Sequence, residues 1–238
     1  MIQFCDLSVI YDQSIVALDH LELKLSNSQC SVIIGKNGSG KSTLLQSIVG
    51  LVDIQGELFV DDVKVCQSQF GNIRKKVGFV FQNPDHQLFM NTIYDDLAFG
   101  LINQGLPKEE IDSRIYEITK RLHIEHLLQR SCHKLSGGQK RMIAIATVLV
   151  MKPDIILMDE PSSFLDPVSR RALIHFIQSL HQTIVIATHD LDMALNIADE
   201  VILLNDGKMI AQGQPTDILT NQYLLETNGL ELPYCYQR

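Results

Sequence analysis

From position 35 the chain reads Gly35-Lys36-Asn37-Gly38-Ser39-Gly40-Lys41-Ser42, the spacing G-x-x-x-x-G-K-[ST]. An apolar, strand-like run, Ser31-Val32-Ile33-Ile34, precedes it, and residues 42–49 read as a helix. Residues of this type in this order wrap phosphate. Glycines let the backbone turn with its N–H groups inward, and the helix N-terminus adds about half a positive charge facing the anion. On this reading Gly35, Lys36, Asn37, Gly38, Ser39, Gly40 and the adjoining Thr43 line the cradle of a nucleoside triphosphate. Lys41 reaches the β- and γ-phosphates, and the Ser42 hydroxyl is placed to ligate Mg²⁺. The plainer alternative is a glycine-rich turn, which the strand before and the helix after argue against.

A second group stands at Ile155-Ile156-Leu157-Met158-Asp159-Glu160, where an apolar strand delivers two carboxylates at its end. Asp159 is suited to hold Mg²⁺ through a water, and Glu160 to take a proton from an attacking water. A third group, Leu135-Ser136-Gly137-Gly138-Gln139, precedes a helix and offers a serine hydroxyl, bare backbone amides and a helix dipole. Alone it reads as an ordinary N-cap. In a chain that already has one phosphate loop, it invites a triphosphate held elsewhere, by another copy.

These groups need a scaffold, and 238 residues of which 45% are hydrophobic suffice for one large domain. The longest nearly unbroken apolar run, residues 142–151, is about half the length that crosses a bilayer. The opening Met1-Ile2-Gln3-Phe4-Cys5-Asp6 lacks the basic and apolar regions of a signal peptide, which predicts a cytosolic chain. A net charge of −8 argues against nucleic acid as the principal partner. The five cysteines show no C-x-x-C spacing and suggest neither zinc nor a disulfide framework.

The first third reads as β-rich. Leu21-Glu22-Leu23-Lys24-Leu25 alternates as a half-exposed strand, residues 57–65 read as a hairpin turning at Asp61-Asp62, and Val77-Gly78-Phe79-Val80-Phe81 reads as a buried strand. A helical stretch follows, with a helix start at Pro107 and an apolar face of Ile111, Ile115, Ile118 and Leu122. After Ser136, helices at 139–150, 167–180 and 191–198 alternate with strands at 155–158, 183–187 and 201–204, before a hairpin turn at Asn205-Asp206-Gly207. The expected fold is α/β, a P-loop NTPase core with a mainly parallel covered sheet, an N-terminal antiparallel β part and an inserted helical subdomain. The expected layout is a single domain, with residues 1–82 and 136–238 as core and 83–135 as the helical insertion.

With these motifs in this order, the chain resembles an ATP-binding cassette subunit, the ATPase of ABC transporters, over nearly its full length. Residues 35–42 resemble the Walker A loop, Gln82 the Q-loop, residues 135–139 the signature, and residues 155–159 with Glu160 the Walker B strand and base. Ser163-Phe164-Leu165-Asp166 falls at the D-loop and His189 at the switch histidine. The resemblance implies a head-to-tail dimer in which Ser136, Gly137 and Gly138 of one subunit close over ATP bound at Lys41 of the other. It also implies that Tyr11 stacks on adenine, that Gln82 links Mg²⁺ and water to a partner-facing helical part, and that His189 contacts the γ-phosphate. Phe164 departs from the small residue common at its D-loop position.

Residues 77–89, with Asn83-Pro84-Asp85-His86-Gln87-Leu88-Phe89 at their end, and Asp95-Asp96-Leu97-Ala98-Phe99-Gly100 are similar to the ATPases of energy-coupling factor importers, which take up cobalt, nickel, biotin and other vitamins. That resemblance implies a transmembrane subunit docking near residues 82–100, a separate substrate-capturing membrane protein, and a place on the cytoplasmic face of the membrane. Leu88 and Phe89, following a polar triplet, are expected to be partly exposed there, and Leu97 to face inward. Two alternatives stand beside this reading: a soluble ATPase of the same superfamily that does not drive transport, as in iron–sulfur assembly, or another class of ABC transporter.

Overall fold

The computed structural model describes residues 1–12, 14–27 and 29–237. The chain opens with three strands, β1 (Ile2–Tyr11), β2 (Ile15–Leu25) and β3 (Cys30–Ile34), followed by α1 (Lys41–Ile48). Then come β4 (Gln55–Val60), β5 (Val63–Lys64), α2 (Phe70–Lys76) and β6 (Val77–Val80). Two helices follow, α3 (Ile93–Asn103) and α4 (Lys108–Leu122). The remainder alternates: α5 (Gly137–Leu149), β7 (Ile155–Asp159), α6 (Pro167–Gln178), β8 (Thr183–Thr188), α7 (Leu191–Ile197) and β9 (Glu200–Asn205). It closes with β10 (Lys208–Gly213), α8 (Pro215–Leu219) and α9 (Gln222–Thr227).

Two sheets result. An antiparallel one has the order β2-β1-β4-β5, and a six-stranded one has the order β10-β9-β3-β8-β7-β6, in which every pairing but β10 with β9 is parallel. The strands that read as continuous apolar runs, β3, β7 and β8, are buried along their whole length, as parallel strands covered on both faces must be. One apolar core lies between the two sheets, built from residues such as Phe4, Leu45 and Val185. The second lies beneath the helices, where Ile111, Ile115 and Ile118 of α4 meet Ile143 and Ala144 of α5.

Local signals account for most boundaries. Asp61 and Asp62 both take positive φ, 46° and 63°, which is the geometry of the tight β4–β5 turn. The Thr92 side chain caps α3 by accepting from the Asp95 N–H, and Asp166 caps α6 by accepting from the N–H groups of Val168 and Ser169. Ser136 and Gln139 form a reciprocal capping box at the start of α5. Among the described residues no helix is long and apolar enough to cross a membrane.

Candidate active site

The parallel register places the chemistry. Ile34 lies beside Thr188, and Asp159 beside Ala187, so β3, β7 and β8 end together at one edge of the sheet. That edge carries the phosphate loop after β3, Asp159 and Glu160 at the end of β7, and Thr188 and His189 at the end of β8. Carboxyl ends of parallel strands are where an α/β sheet collects ligands.

Gly40 is the hinge of the loop. It holds φ 102° at the N-cap of α1, and a Cβ there would stand 2.5 Å from the Ala17 carbonyl oxygen. No L side chain fits that combination without displacing the backbone of β2. Lys41, the first residue of α1, is buried and donates from Nζ to the carbonyls of Gly35 at 2.7 Å and Lys36 at 3.0 Å. Its ammonium thus lies across the mouth of the loop, 4.0 Å from Glu160 Oε1. Burial pushes the Lys41 pKa down, opposed by the charges of Glu160 and Asp159.

Ser42 Oγ donates to Asp159 Oδ1 at 3.0 Å. A hydroxyl and a buried carboxylate in contact form the hard oxygen donor set that Mg²⁺ prefers. The residues present therefore fit Mg²⁺. Burial raises the Asp159 pKa, with the Ser42 hydrogen bond and the positive charges of Lys41 and Arg141 working against it. A cation at this place would remove that cost.

Glu160 takes φ 46°, a left-handed conformation that costs a non-glycine residue about 1–2 kcal/mol. Its N–H donates to the Ala187 carbonyl at 2.8 Å, which pins the bend to β8. The carboxylate then meets two donors on Oε2, Thr188 Oγ1 at 3.1 Å and the His189 N–H at 3.3 Å, and His189 Nδ1 lies 2.8 Å from the same oxygen. Glu160 is buried, while the His189 side chain is 58% exposed, so the ring stands between the carboxylate and solvent. Beneath them Asp190 caps α7 and is gripped by Arg170, Nε to Oδ2 at 2.6 Å, and by Ser162 Oγ at 3.1 Å.

The Tyr11 ring lies at the end of β1, its hydroxyl 3.3 Å from Thr43 Oγ1, so it stands over the first turn of α1. Ser136 and Gly137 are exposed and Gly138 half-buried at the start of α5, and among the described residues they make no hydrogen bond to Lys41, Ser42, Asp159, Glu160 or His189. Gln82 contributes its backbone: the carbonyl accepts from Arg141 of α5, while among the described residues its side chain makes no hydrogen bond. Arg141 is 1% exposed and also donates to the Phe81 carbonyl at 2.7 Å; burial lowers its pKa to about 10. Gln87 adds a second stitch, accepting from the Phe81 N–H and donating to Ala144 O and Thr147 Oγ1.

Three residues of this arrangement were not singled out as site residues by the sequence reading. Thr188 is the polar residue that closes an apolar strand directly before His189. Arg141 is a charged side chain at the head of the apolar α5 helix, one turn after Gly137. Gln87 lies within the 77–89 segment, but its reach to α5 needs the fold. One expectation is corrected: Leu88 is 3% exposed and belongs to the core, because its N–H closes a turn on Pro84 O and swings the side chain inward. Phe89 is 62% exposed, and Leu97 is fully buried as its spacing implied.

The model of the ABC transporter family matches residues 18–163, from β2 through the loop after Glu160. The chain belongs to the ABC transporter family, as an ATP-binding cassette. It is 43% identical over 232 residues to the energy-coupling factor transporter ATP-binding protein EcfA of Carboxydothermus hydrogenoformans, covering 96% of this chain and 86% of that one. It is 38% identical over its full length to a putative ABC transporter ATP-binding protein of Geobacter sulfurreducens, covering 96% of the latter. Among solved structures it superposes on CbiO1 of Clostridium perfringens, part of the ABC transporter complex CbiONQ, with a TM-score of 0.84 at 34% identity, covering 95% of this chain and 93% of that one. The ATP-binding cassette MJ0796, solved as a dimer bound to ADP and phosphate, matches with a TM-score of 0.83 at 28% identity over 90% of this chain and 99% of that one. The antiparallel sheet, the parallel core and the helical stretch expected from the sequence are those of this fold.

Proposed function

We infer that this cassette is the ATP-hydrolysing subunit of a membrane importer of the energy-coupling factor type. One observation carries the dimeric part of the reading. Lys41, Ser42, Asp159, Glu160 and His189 converge at one sheet edge, whereas the second phosphate cradle, residues 136–138, makes no hydrogen bond to any of them among the described residues, with Ser136 and Gly137 exposed. A cradle without a triphosphate of its own serves the site of a second subunit, a homologous copy or a related ATPase.

In this reading Tyr11 stacks on adenine, residues 35–43 wrap the phosphates, and Lys41 exchanges its two carbonyl partners for phosphate oxygens. Ser42 and Asp159, with Gln82 as a further candidate, would hold Mg²⁺, which would supply charge neutralisation on the phosphates. Glu160 takes a proton from a water that attacks the γ-phosphorus in line; the new P–O bond forms as the bond to the β-phosphate oxygen breaks and ADP leaves. His189, already paired with Glu160, is within reach to turn its ring toward the γ-phosphate. Binding of two triphosphates across the interface closes the dimer, and phosphate release removes the charges that bridge it.

The relatives' names support the transporter assignment, and the 82–100 stretch supports where the membrane subunit docks. Residues 83–135 form the helical unit that meets it, set into a core of residues 1–82 and 136–238. The cassette then lies at the cytoplasmic face of the membrane, beside a transmembrane subunit and a separate capture protein for cobalt, nickel, biotin or another vitamin.

The test is complementation. Lys41→Ala and Gly137→Asp proteins are each expected to lose nearly all ATPase activity, and their mixture to regain part of it. Gly137 suits the purpose because the nearest atom to a new Cβ is 3.9 Å away, so the fold tolerates the change. A carboxylate about 4 Å from a γ-phosphate oxygen costs roughly 4 kcal/mol per charge pair at an effective dielectric near 20. Full activity in Gly137→Asp alone would remove residues 136–138 from the site. Co-purification of the wild-type chain with a polytopic membrane protein tests the transporter assignment.

A further inference from the structure

One carboxylate beside the site is fully engaged. Asp190 Oδ1 accepts from the Met193 N–H at 2.9 Å and from Arg170 Nη2. Its Oδ2 accepts from Arg170 Nε at 2.6 Å and from Ser162 Oγ at 3.1 Å. Burial works against the charge, but the bonds from Arg170, Met193 and Ser162 hold the Asp190 carboxyl below the usual carboxylate range. Both side chains of the pair are partly buried. Arg170 stands near the start of α6, and its Nε and Nη2 meet the two oxygens as a fork. A lysine has no second donor in that plane.

These bonds close a small ring around the chemistry. Glu160 follows β7, with Ser162 two residues beyond it; Thr188 ends β8, with His189 and Asp190 directly after. On one side of the ring Glu160 meets Thr188 and His189, and on the other Ser162 meets Asp190. The His189 ring is largely exposed, and among the described residues Glu160 is its one ionic or hydrogen-bonding partner. Its direction therefore depends on the backbone of residues 188–190. Asp190 fixes that backbone twice, by its N–H on Thr188 Oγ1 at 3.1 Å and by its side chain on α6.

We propose that Arg170 is a positioning residue for ATP hydrolysis, which through Asp190 sets the direction of the His189 ring against Glu160. Among the described residues it makes no hydrogen bond to Lys41, Ser42, Asp159 or Glu160, so it acts through Asp190 alone. Without the fork, Asp190 keeps the α7 cap but loses its brace to α6. The 188–190 backbone is then free to swing His189 off Glu160, and misplacement of a reacting group is costly in rate. The neighbouring Arg171 is exposed and among the described residues forms no ion pair, so it provides a matched control on the same helix. This role depends on those given above to Glu160 and His189.

The full chain is assayed with ATP and Mg²⁺ as Arg170→Ala, Arg170→Lys, Arg171→Ala and His189→Ala. Arg170→Ala is expected to lower kcat by about tenfold and Arg170→Lys by about threefold, with KM for ATP held within about twofold. Arg171→Ala should match the wild type. Protein carrying ¹³C-labelled histidine gives a readout that a merely stabilising ion pair would not move. The His189 ring signal, assigned by its loss in His189→Ala, should shift in Arg170→Lys, a variant conservative enough to fold where Arg170→Ala does not. Wild-type kcat in both Arg170 variants, or a reduced kcat with an unmoved His189 signal, overturns the positioning role and leaves Glu160 and His189 in theirs. Wild-type kcat in His189→Ala overturns the His189 role and the positioning role together.

Discussion

Thr188 Oγ1 donates to Glu160 Oε2 at 3.1 Å and accepts from the Asp190 N–H at the same distance, 3.1 Å. The backbone amide occupies a lone pair of the hydroxyl and leaves its proton to the carboxylate. Thr188 is fully buried, so water does not compete for either bond. Glu160 is thereby oriented from the neighbouring strand, 28 residues away in sequence, and its other oxygen is left toward Lys41 and the phosphate loop.

Two substitutions separate the role of Glu160 from that of its support. Glu160→Gln is expected to keep ATP binding and slow hydrolysis by about 10²- to 10⁴-fold, the range of a general base. Thr188→Val keeps the shape and removes the hydroxyl, and is expected to lower kcat by roughly tenfold with little change in KM for ATP. Thr188→Ser restores the donor and should restore kcat. A Thr188→Val enzyme with wild-type kcat would show that Glu160 needs no such support.

Arg141 ties the segment after β6 to the head of α5. Its guanidinium spans the carbonyls of Phe81 and Gln82 from the helix that begins at Gly137. Lysine cannot reproduce a two-carbonyl fork, so Arg141→Lys leaves one buried acceptor unpaired at a cost of about 1–3 kcal/mol. The expected outcome is a lower melting temperature with ATP affinity retained and ATPase activity reduced, because the Gln82 carbonyl and the start of α5 are no longer fastened together. Wild-type ATPase activity in that variant would dismiss the role.

Much of this was legible because it is local. The phosphate loop, the carboxylates after Met158, the capping serine at 136 and the Asp61–Asp62 turn each declare themselves in a few adjacent residues. What escaped depends on neighbours brought by the fold. The partners of Thr188 and Arg141 come from other elements, and no period reveals them. Helix α2 was missed because Gly71, Asn72 and three consecutive basic residues leave only Phe70 and Ile73 as apolar positions in it; it is anchored by the buried Ile73 and by Arg74 donating to Val49 O. Leu88 misled because the polar residues before it form a turn, not a surface strand.

The buried Asp159 makes a pH test. Its pKa is raised in the folded chain, chiefly by burial, so between the unfolded value near 3.8 and the folded value the native state holds more protons. Stability from this group is full below that window and is lost as pH rises through it. Asp159→Asn removes the cost and keeps an oxygen for Ser42. It should melt above the wild type at pH 7, with the gap closing toward pH 4, and Mg²⁺ with ATP should stabilise only the wild type strongly. A gap that does not change with pH would show that charge burial is not its origin.

The last prediction concerns the membrane partner. Phe89 is 62% exposed and packs edge-to-face on the half-exposed Phe99 at 5.1 Å between centroids, with Ile102 of the same helix also exposed. The loop that presents it is fixed by Asp96, whose Oδ1 accepts from the N–H groups of Phe89 and Met90, both at 3.0 Å, while Asp96 itself is buried. A fixed, exposed aromatic pair that starts seven residues after Gln82 suits an interface coupled to nucleotide state. Phe89→Ala is expected to leave melting temperature and basal ATPase activity unchanged and to reduce recruitment to membranes carrying the transmembrane subunit by tenfold or more, a loss of about 1.4 kcal/mol or above. Asp96→Ala, which frees the loop and strips two amides of their acceptor, should lower both recruitment and melting. If Phe89→Ala lowers melting and recruitment stays normal, the ring serves the core and the docking surface lies elsewhere.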